Sequence, residues 1–135
     1  PYIVYGPGRE VGLTAGPTLA CKAAARGEPY VIPFSGRADY LYVGDLADAF
    51  ATACRTPLTG AAAYTIVGES ADAEAVAALV RAEVPGAEIA AAGPTLPVTA
   101  DLDPGPVRDD FPDIPCTPLQ AGIAATVAHY RGQQT

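Results

Sequence analysis

The stretch Pro1-Tyr2-Ile3-Val4-Tyr5-Gly6-Pro7-Gly8-Arg9 decides the fold of this chain. Residues 2–5 are all β-branched or aromatic, a composition typical of a strand that is covered on both faces. Gly6, Pro7 and Gly8 then end the strand and let the backbone turn closely. A strand of this kind needs neighbours on both sides, and no residue of the sequence precedes it. We therefore expect the chain to be the later part of a larger protein.

Strand and helix patterns alternate along the rest of the chain, which predicts an α/β protein. Short apolar runs predict further strands at residues 30–33, 40–43, 63–67 and 87–91. Apolar residues at helical spacing predict four helices: residues 17–26 ended by Gly27, one capped by Asp45, one capped by Ser70, and one that begins with the capping box Thr117-Pro118-Leu119-Gln120. Residues 34–39 read as a polar loop, and residues 93–115 as irregular with a short strand near Val98.

Two of the predicted helices carry a defined apolar stripe. Leu46, Phe50 and Cys54 recur every four residues and predict one buried face. Leu119, Ile123, Val127 and Tyr130 predict the buried face of the last helix.

Composition and charge exclude several classes of partner. The chain has 135 residues, which suits one domain, and a formal net charge of −7. An acidic chain without a basic stripe argues against nucleic acid and against an anionic membrane as partner. Its apolar runs are short and interrupted, so no segment predicts a membrane span.

The cysteines and the histidine argue against a metal site and for a reducing compartment. Cys21, Cys54 and Cys116 are an odd number at wide spacing, which is typical of a cytoplasmic protein. The sequence has no C-x-x-C motif and one histidine, so no metal-ligand set is predicted. Cys21 and Cys54 read as small core residues.

Several short motifs occur together in a specific order. After the opening stretch come Ala25-Arg26-Gly27-Glu28-Pro29, Asp39-Tyr40-Leu41-Tyr42-Val43-Gly44-Asp45, Tyr64-Thr65-Ile66-Val67-Gly68, and Thr117-Pro118-Leu119 with Gly122-Ile123 and Tyr130-Arg131. In this order and spacing the series resembles the NAD-dependent epimerase/dehydratase family, the extended short-chain dehydrogenases. No single motif is specific, but the series covers essentially the whole chain.

The resemblance implies the C-terminal part of a Rossmann-type enzyme. Residues 1–135 would hold the last sheet strands, at Tyr2 and Tyr64, and the small substrate-binding domain. The cofactor would be NAD or NADP, bound mainly by an N-terminal part. The family's catalytic Tyr-x-x-x-Lys is not in this sequence, because its only lysine is Lys22 and Thr18 stands four residues before it. No catalytic residue is therefore assigned here.

The resemblance also points to binding residues around the opening strand. It places Pro1, Tyr2 and Val4 beside the cofactor, and Ile3, Arg9, Thr18 and Arg37 beside the substrate. Each has an ordinary structural alternative: sheet core for the strand residues, a solvated helix face for Thr18, and a surface position for either arginine. Arg9, in a glycine-rich loop, could pair with a carboxylate or phosphate of the substrate.

Two departures from the family pattern bear on the substrate. Ile3 stands where the family often has an asparagine that binds nucleotide sugars, and isoleucine cannot make that hydrogen bond. Ala38 stands where the family has the arginine that grips the diphosphate; Arg37 is one residue away and would point to the other face of an extended segment. We therefore expect a sugar, sugar acid or related alcohol as substrate, and not a standard nucleotide sugar.

The sequence leaves a second class of function open. The chain could be a non-catalytic module that binds a small molecule or mediates oligomerisation. In either case apolar faces that pack on an absent half would be exposed, so we expect a homodimer or a complex with the chain's own N-terminal half.

Overall fold

The computed structural model describes residues 1–57 and 59–133. Within these ranges five strands form: β1 (Ile3–Tyr5), β2 (Tyr30–Ile32), β3 (Arg37–Tyr42), β4 (Glu69–Asp72) and β5 (Ile89–Ala91). The same ranges contain five helices: α1 (Gly16–Arg26), α2 (Val43–Arg55), α3 (Ala73–Glu83), α4 (Gly105–Asp110) and α5 (Leu119–Gly132), with a 3-10 turn at Leu13–Ala15 before α1. The α/β class predicted from the sequence is confirmed. No helix in the described ranges is long and apolar enough to cross a membrane.

The strands form two small sheets. In the first, β3 lies between β1, to which it is parallel, and β4, to which it is antiparallel. In the second, β2 and β5 run parallel. Residues of both sheets share one core with helices α1, α3 and α5. Helix α1 contributes alanines and Cys21 to this core, and such small side chains allow neighbouring helices to approach closely.

Strand β1 forms where the sequence predicted it, but its two faces differ. Ile3 and Tyr5 are fully buried in the core, whereas Val4 is half-buried and Tyr2 is 45% exposed. Of the described strands only β3 pairs with β1, so β1 is an edge of this sheet. The last helix also forms as predicted, with Leu119, Ile123, Val127 and Tyr130 all buried.

The predicted loop at residues 34–39 is wrong, because β3 already begins at Arg37. Residues 37–40 pair with β4, and the partner strand supplies the backbone hydrogen bonds that the polar sequence did not suggest. No strand forms at Val98. The nearest β-structure is an isolated bridge between Ser35 and Thr95. Helix α4 lies in the region that was expected to be irregular.

The strand predicted at residues 63–67 does not form, and pairing with β3 begins only at Glu69. Gly68 passes so close to β3 that a Cβ there would lie 1.9 Å from the carbonyl oxygen of Tyr40. In the register of β3 and β4, Tyr42 lies opposite Val67, and beyond Tyr42 the chain enters α2. Strand β3 therefore offers no edge to residues 63–66.

The three predicted N-caps are also corrected. Helix α2 begins two residues before Asp45, Ser70 lies within β4, and Thr117 precedes Pro118, the residue that caps α5. In none of the three helices does the side chain of the N-cap residue make a capping hydrogen bond. Asp45 instead accepts hydrogen bonds from Thr117, and Ser70 accepts one from the N–H of Asp101.

The apolar stripe of α2 is not buried as predicted. Phe50 is 66% exposed and Cys54 is exposed, while Asp45 and Ala49 are the buried residues of this helix. Leu46 and Phe50 of this stripe line a cleft.

Candidate functional site

The loop that follows β1 is held in place at its first residue. Gly6 has φ of 129°, and a Cβ at this position would lie 2.5 Å from Cγ1 of Val43, so only glycine fits. The backbone N–H of Gly6 donates to Oγ1 of Thr18 at 3.0 Å, and that hydroxyl donates to the Gly6 carbonyl at 3.4 Å. Thr18 is fully buried, so the structure gives it the role of fastening this loop to α1.

Arg9 lies in the same loop and is half-buried. Its Nη2 donates to Oγ1 of Thr14 at 3.1 Å, and Gly12 passes directly beside the guanidinium, where a Cβ would be 3.2 Å from Nη1. The guanidinium is therefore oriented by its own loop. An arginine has five N–H donors, so one bond to Thr14 leaves donors for an anionic ligand.

Beside Arg9, Glu10 joins the loop to both α1 and α5. Its carboxylate accepts from Nζ of Lys22 and, at 2.8 Å, from the hydroxyl of Tyr130. The N–H of Gly8 donates to the same hydroxyl at 3.4 Å, and Lys22 lies 5.5 Å from the centre of the Tyr130 ring. Chain spacing does not reveal this Glu10–Lys22–Tyr130 cluster, because Tyr130 lies 120 positions from Glu10.

The electrostatics of this cluster favour a structural role. The hydrogen bonds from Lys22 and Tyr130 lower the pKa of Glu10. Burial, followed by the bond to Glu10, raises the pKa of Tyr130 to about 12. The hydroxyl of Tyr130 donates its proton to Glu10, which suits a structural link better than a general base.

The residues expected beside a cofactor or substrate fall into two groups. Pro1 and Tyr2 are exposed and Val4 is half-buried, so all three have surface that a ligand could contact. Ile3 is fully buried in the core, and its side chain offers no surface of this kind. Ligand contacts by any of these residues remain predictions.

Arg37 does not join the loop that carries Arg9. Its Nε and Nη2 donate to the two carboxylate oxygens of Asp101 at 3.1 and 2.8 Å. Asp101 has a positive φ of 55° and its N–H donates to Oγ of Ser70 at 2.8 Å. Since Arg37 lies in a strand, its side chain and that of buried Ala38 point to opposite faces of the sheet.

Three carboxylates connect distant segments. Asp39, in β3, accepts from the N–H of Gly68 with both oxygens, at 3.1 and 3.0 Å. Asp45, in α2, accepts from the N–H and the hydroxyl of Thr117, both at 2.6 Å. Glu69 accepts from the N–H of Leu119 at 2.8 Å. Burial raises the pKa of Asp39 despite the bond from Gly68. The sequence pattern indicates Asp45 as the cap of its own helix and gives no sign of this bond to Thr117.

A cleft of about 790 Å³ opens beside α2. Its walls are Pro1, one face of α2, residues 59–66 and the segment around Phe111. The lining is largely apolar. In this lining the carboxylate of Asp110 accepts a hydrogen bond from the hydroxyl of Tyr64. The ring of Tyr64 packs edge-on against that of Phe111, with 5.2 Å between the ring centroids. This volume lies within the range of small-molecule sites.

The cysteines differ in their surroundings. Cys21 is buried, as predicted, and burial raises its pKa to about 12. Cys54 is exposed, so its assignment to the core was wrong. Among the described residues, no group of three or more histidine, cysteine, aspartate or glutamate side chains could hold a metal ion.

Comparison with known proteins yields structural relatives only. No protein-family profile and no curated protein matches the chain. A partial-consensus L-threonine 3-dehydrogenase matches 96% of the chain with a TM-score of 0.80 and 22% identity. A UDP-glucose 4-epimerase from Thermotoga maritima matches 98% with a TM-score of 0.80 and 21% identity, and one from Thermus thermophilus matches 96% with a TM-score of 0.69 and 26% identity.

These matches cover 46%, 45% and 44% of the respective solved chains, so the chain spans about half the length of the structures it matches. The resemblance noted in the sequence motifs is confirmed by these neighbours. The chain has the α/β fold of a part of the NAD-dependent epimerase/dehydratase family, the extended short-chain dehydrogenases.

Proposed function

We propose that the chain is the substrate-side part of an NAD- or NADP-dependent oxidoreductase that acts on a sugar, sugar acid or related alcohol, and not on a standard nucleotide sugar. The structural match over nearly the whole chain to an L-threonine 3-dehydrogenase and to epimerases supports the general activity. Crystal structures of neighbouring enzymes include complexes with NAD.

In such an enzyme the chemistry is hydride transfer between the nicotinamide and a carbinol or carbonyl carbon. The cofactor would contact Pro1, Tyr2 and Val4, whose exposed surface is available for this. This chain would orient the substrate by holding its polar groups in one geometry, which lowers the entropic part of the barrier. Arg9 is the residue that we assign to an anionic group of the substrate.

The ion pairs of the basic side chains support a small substrate over a nucleotide diphosphate. A diphosphate carries more negative charge than one arginine neutralises. Arg37 is already engaged with both oxygens of Asp101, and Lys22 with Glu10. Arg9 keeps donors beyond its bond to Thr14, enough for a single carboxylate. A substrate with one carboxylate therefore suits this loop better than a nucleotide diphosphate.

Ligand titration followed by NMR tests this proposal. We expect gluconate or L-threonine to shift the amide signals of residues 6–14, and the Arg9→Gln variant to lose the shifts. Arg55→Gln serves as the control, since Arg55 lies at the far end of α2. UDP-glucose binding tighter than that of either carboxylate, or shifts that survive in Arg9→Gln, would contradict the proposal.

The alternative is a module without catalysis that binds a small molecule or mediates assembly. The ring of Phe50, 66% exposed in the wall of the cleft, is apolar surface that favours this alternative.

A further inference from the structure

The loop between β1 and α1 contains two backbone turns that a side chain joins. The N–H of Arg9 donates to the carbonyl of Gly6 at 3.1 Å and closes the first turn. The N–H of Ala15 donates to the carbonyl of Gly12, also at 3.1 Å, and closes the second. The bond from Nη2 of Arg9 to Oγ1 of Thr14 connects the two turns. The direction of the guanidinium is therefore fixed by the fold of its own loop.

A second hydroxyl holds the backbone on both sides of Arg9. The hydroxyl of Tyr130 accepts from the N–H of Gly8 at 3.4 Å and donates to the carboxylate of Glu10 at 2.8 Å. Tyr130 is 1% exposed, and its helix α5 packs against α1. Since Gly8 and Glu10 are the two neighbours of Arg9 in the chain, this hydroxyl fixes the point from which the arginine side chain extends.

The charge of Arg9 is oriented but not neutralised. Among the half-buried basic side chains of residues 1–57 and 59–133, Lys22 and Arg81 each form an ion pair with a glutamate, and Arg9 forms none. The hydroxyl of Thr14 is a neutral acceptor, so its bond directs the guanidinium and leaves the positive charge available. Such an arginine suits a carboxylate ligand.

We propose that Thr14 and Tyr130 are positioning residues that hold Arg9 ready for the carboxylate of the substrate. This inference rests on the proposed function, in which Arg9 binds that carboxylate. Thr14 directs the guanidinium and Tyr130 holds the backbone, and neither contacts the substrate. Ordering a long side chain on binding costs free energy, so an arginine that is already ordered binds its ligand more tightly.

Two exchanges at Thr14 test its part in the proposal. Thr14→Val keeps the shape of the side chain and removes the acceptor, whereas Thr14→Ser keeps the acceptor. In gluconate titrations followed by NMR, we expect about three- to tenfold weaker binding in Thr14→Val and normal binding in Thr14→Ser. Thr99→Val makes the same exchange at an exposed position outside the helices and strands and should bind normally. Equal binding by the two Thr14 variants would overturn the role of Thr14.

Tyr130→Phe tests the second hydroxyl, because it keeps the buried ring and removes the two hydrogen bonds. We expect lower heteronuclear NOE values at the backbone amides of residues 8–10 and about three- to tenfold weaker gluconate binding. Tyr30→Phe is the matched control, since Tyr30 is a half-buried tyrosine in β2, and it should change neither quantity. Unchanged NOE values or unchanged binding in Tyr130→Phe would overturn the role of Tyr130.

The side chain of Arg9 separates a failure of this inference from a failure of the proposed function. The heteronuclear NOE of Arg9 Nε reports the order of the side chain without any ligand. A value that falls in Thr14→Val and returns in Thr14→Ser supports positioning, even if the unmodified chain binds no gluconate and the assignment of Arg9 to a carboxylate fails. An Nε value that is the same in all three chains overturns positioning by Thr14, whether or not gluconate binds.

Discussion

At the scale of single residues, buried carboxylates replace the local caps that the sequence suggested. Asp45 is 3% exposed and binds both the N–H and the hydroxyl of Thr117, 72 positions away. A helix cap is a local pattern and can be read from spacing. A bond between residues so far apart depends on tertiary packing, which spacing does not encode. This explains why the caps predicted at Asp45 and Thr117 were wrong.

Replacing Asp45 should therefore weaken the fold. Asp45→Asn keeps the shape but removes the charge from two short hydrogen bonds, and we expect a loss of roughly 1.5–3 kcal/mol in the free energy of unfolding. Urea denaturation measures it. Asp48→Asn on the same helix is the control, because Asp48 is exposed, and it should change stability by less than about 0.5 kcal/mol. Equal losses in the two variants would contradict the role given to Asp45.

The structure around a single residue was predicted correctly where the local backbone alone determines it. Gly6 was expected at a close turn, and it lies against Val43 with a positive φ. Arg37 was expected to point away from the face of Ala38, and the strand alternation agrees. The partner of Arg37, Asp101, could not be foreseen, because the segment that carries it has no periodic pattern.

At the scale of elements, α5 shows why periodicity is the strongest sequence signal. Leu119, Ile123, Val127 and Tyr130 are spaced for one face, and that face is buried against α1 and α3. The segment 63–67 has an equally clear strand composition, but a strand also needs a partner edge. Composition cannot supply that edge, so the helix was predicted correctly and the strand was not.

Gly122 makes the contact between α5 and β1 sensitive to one methyl group. A Cβ there would lie 2.0 Å from the hydroxyl of Tyr5, which donates to the carbonyl of Leu119 at 3.3 Å. Although alanine favours helix, we expect Gly122→Ala to lower the free energy of unfolding by about 1–3 kcal/mol through overpacking. Thermal unfolding followed by circular dichroism measures this.

Gly132→Ala in the same helix is the matched control. Among residues 1–57 and 59–133, no atom lies within 4 Å of the place of a Cβ at Gly132, so the gain in helix propensity should leave stability unchanged or slightly higher. If Gly122→Ala were as stable as Gly132→Ala, the close packing of α5 on Tyr5 would be disproved.

At the scale of the whole molecule, the Glu10–Lys22–Tyr130 cluster holds together the loop after β1, α1 and α5. Because the pKa of Glu10 is lowered in the folded state, its contribution to stability is present above the ordinary value of 4.5 and is lost as pH falls through the lowered pKa. Glu10→Gln should therefore be less stable than the unmodified chain at pH 7, and the difference should shrink toward pH 3.

Urea unfolding from pH 3 to 7 measures that difference. Glu28→Gln is the control, because Glu28 is exposed, and its stability should follow the unmodified chain at every pH. A difference for Glu10→Gln that does not change with pH would mean that the ionised carboxylate is not what stabilises the cluster.

The hydrogen bond from Tyr5 to Leu119 joins residues 114 positions apart, and the bond from Tyr130 to Glu10 joins residues 120 apart. During synthesis on the ribosome, β1 emerges long before the helix that covers it. The core side chains of β1 then stay uncovered by this helix until Leu119, 114 positions after Tyr5, has also been synthesised. Contacts of such long sequence separation slow folding, so the nascent chain should depend on chaperones that bind apolar segments.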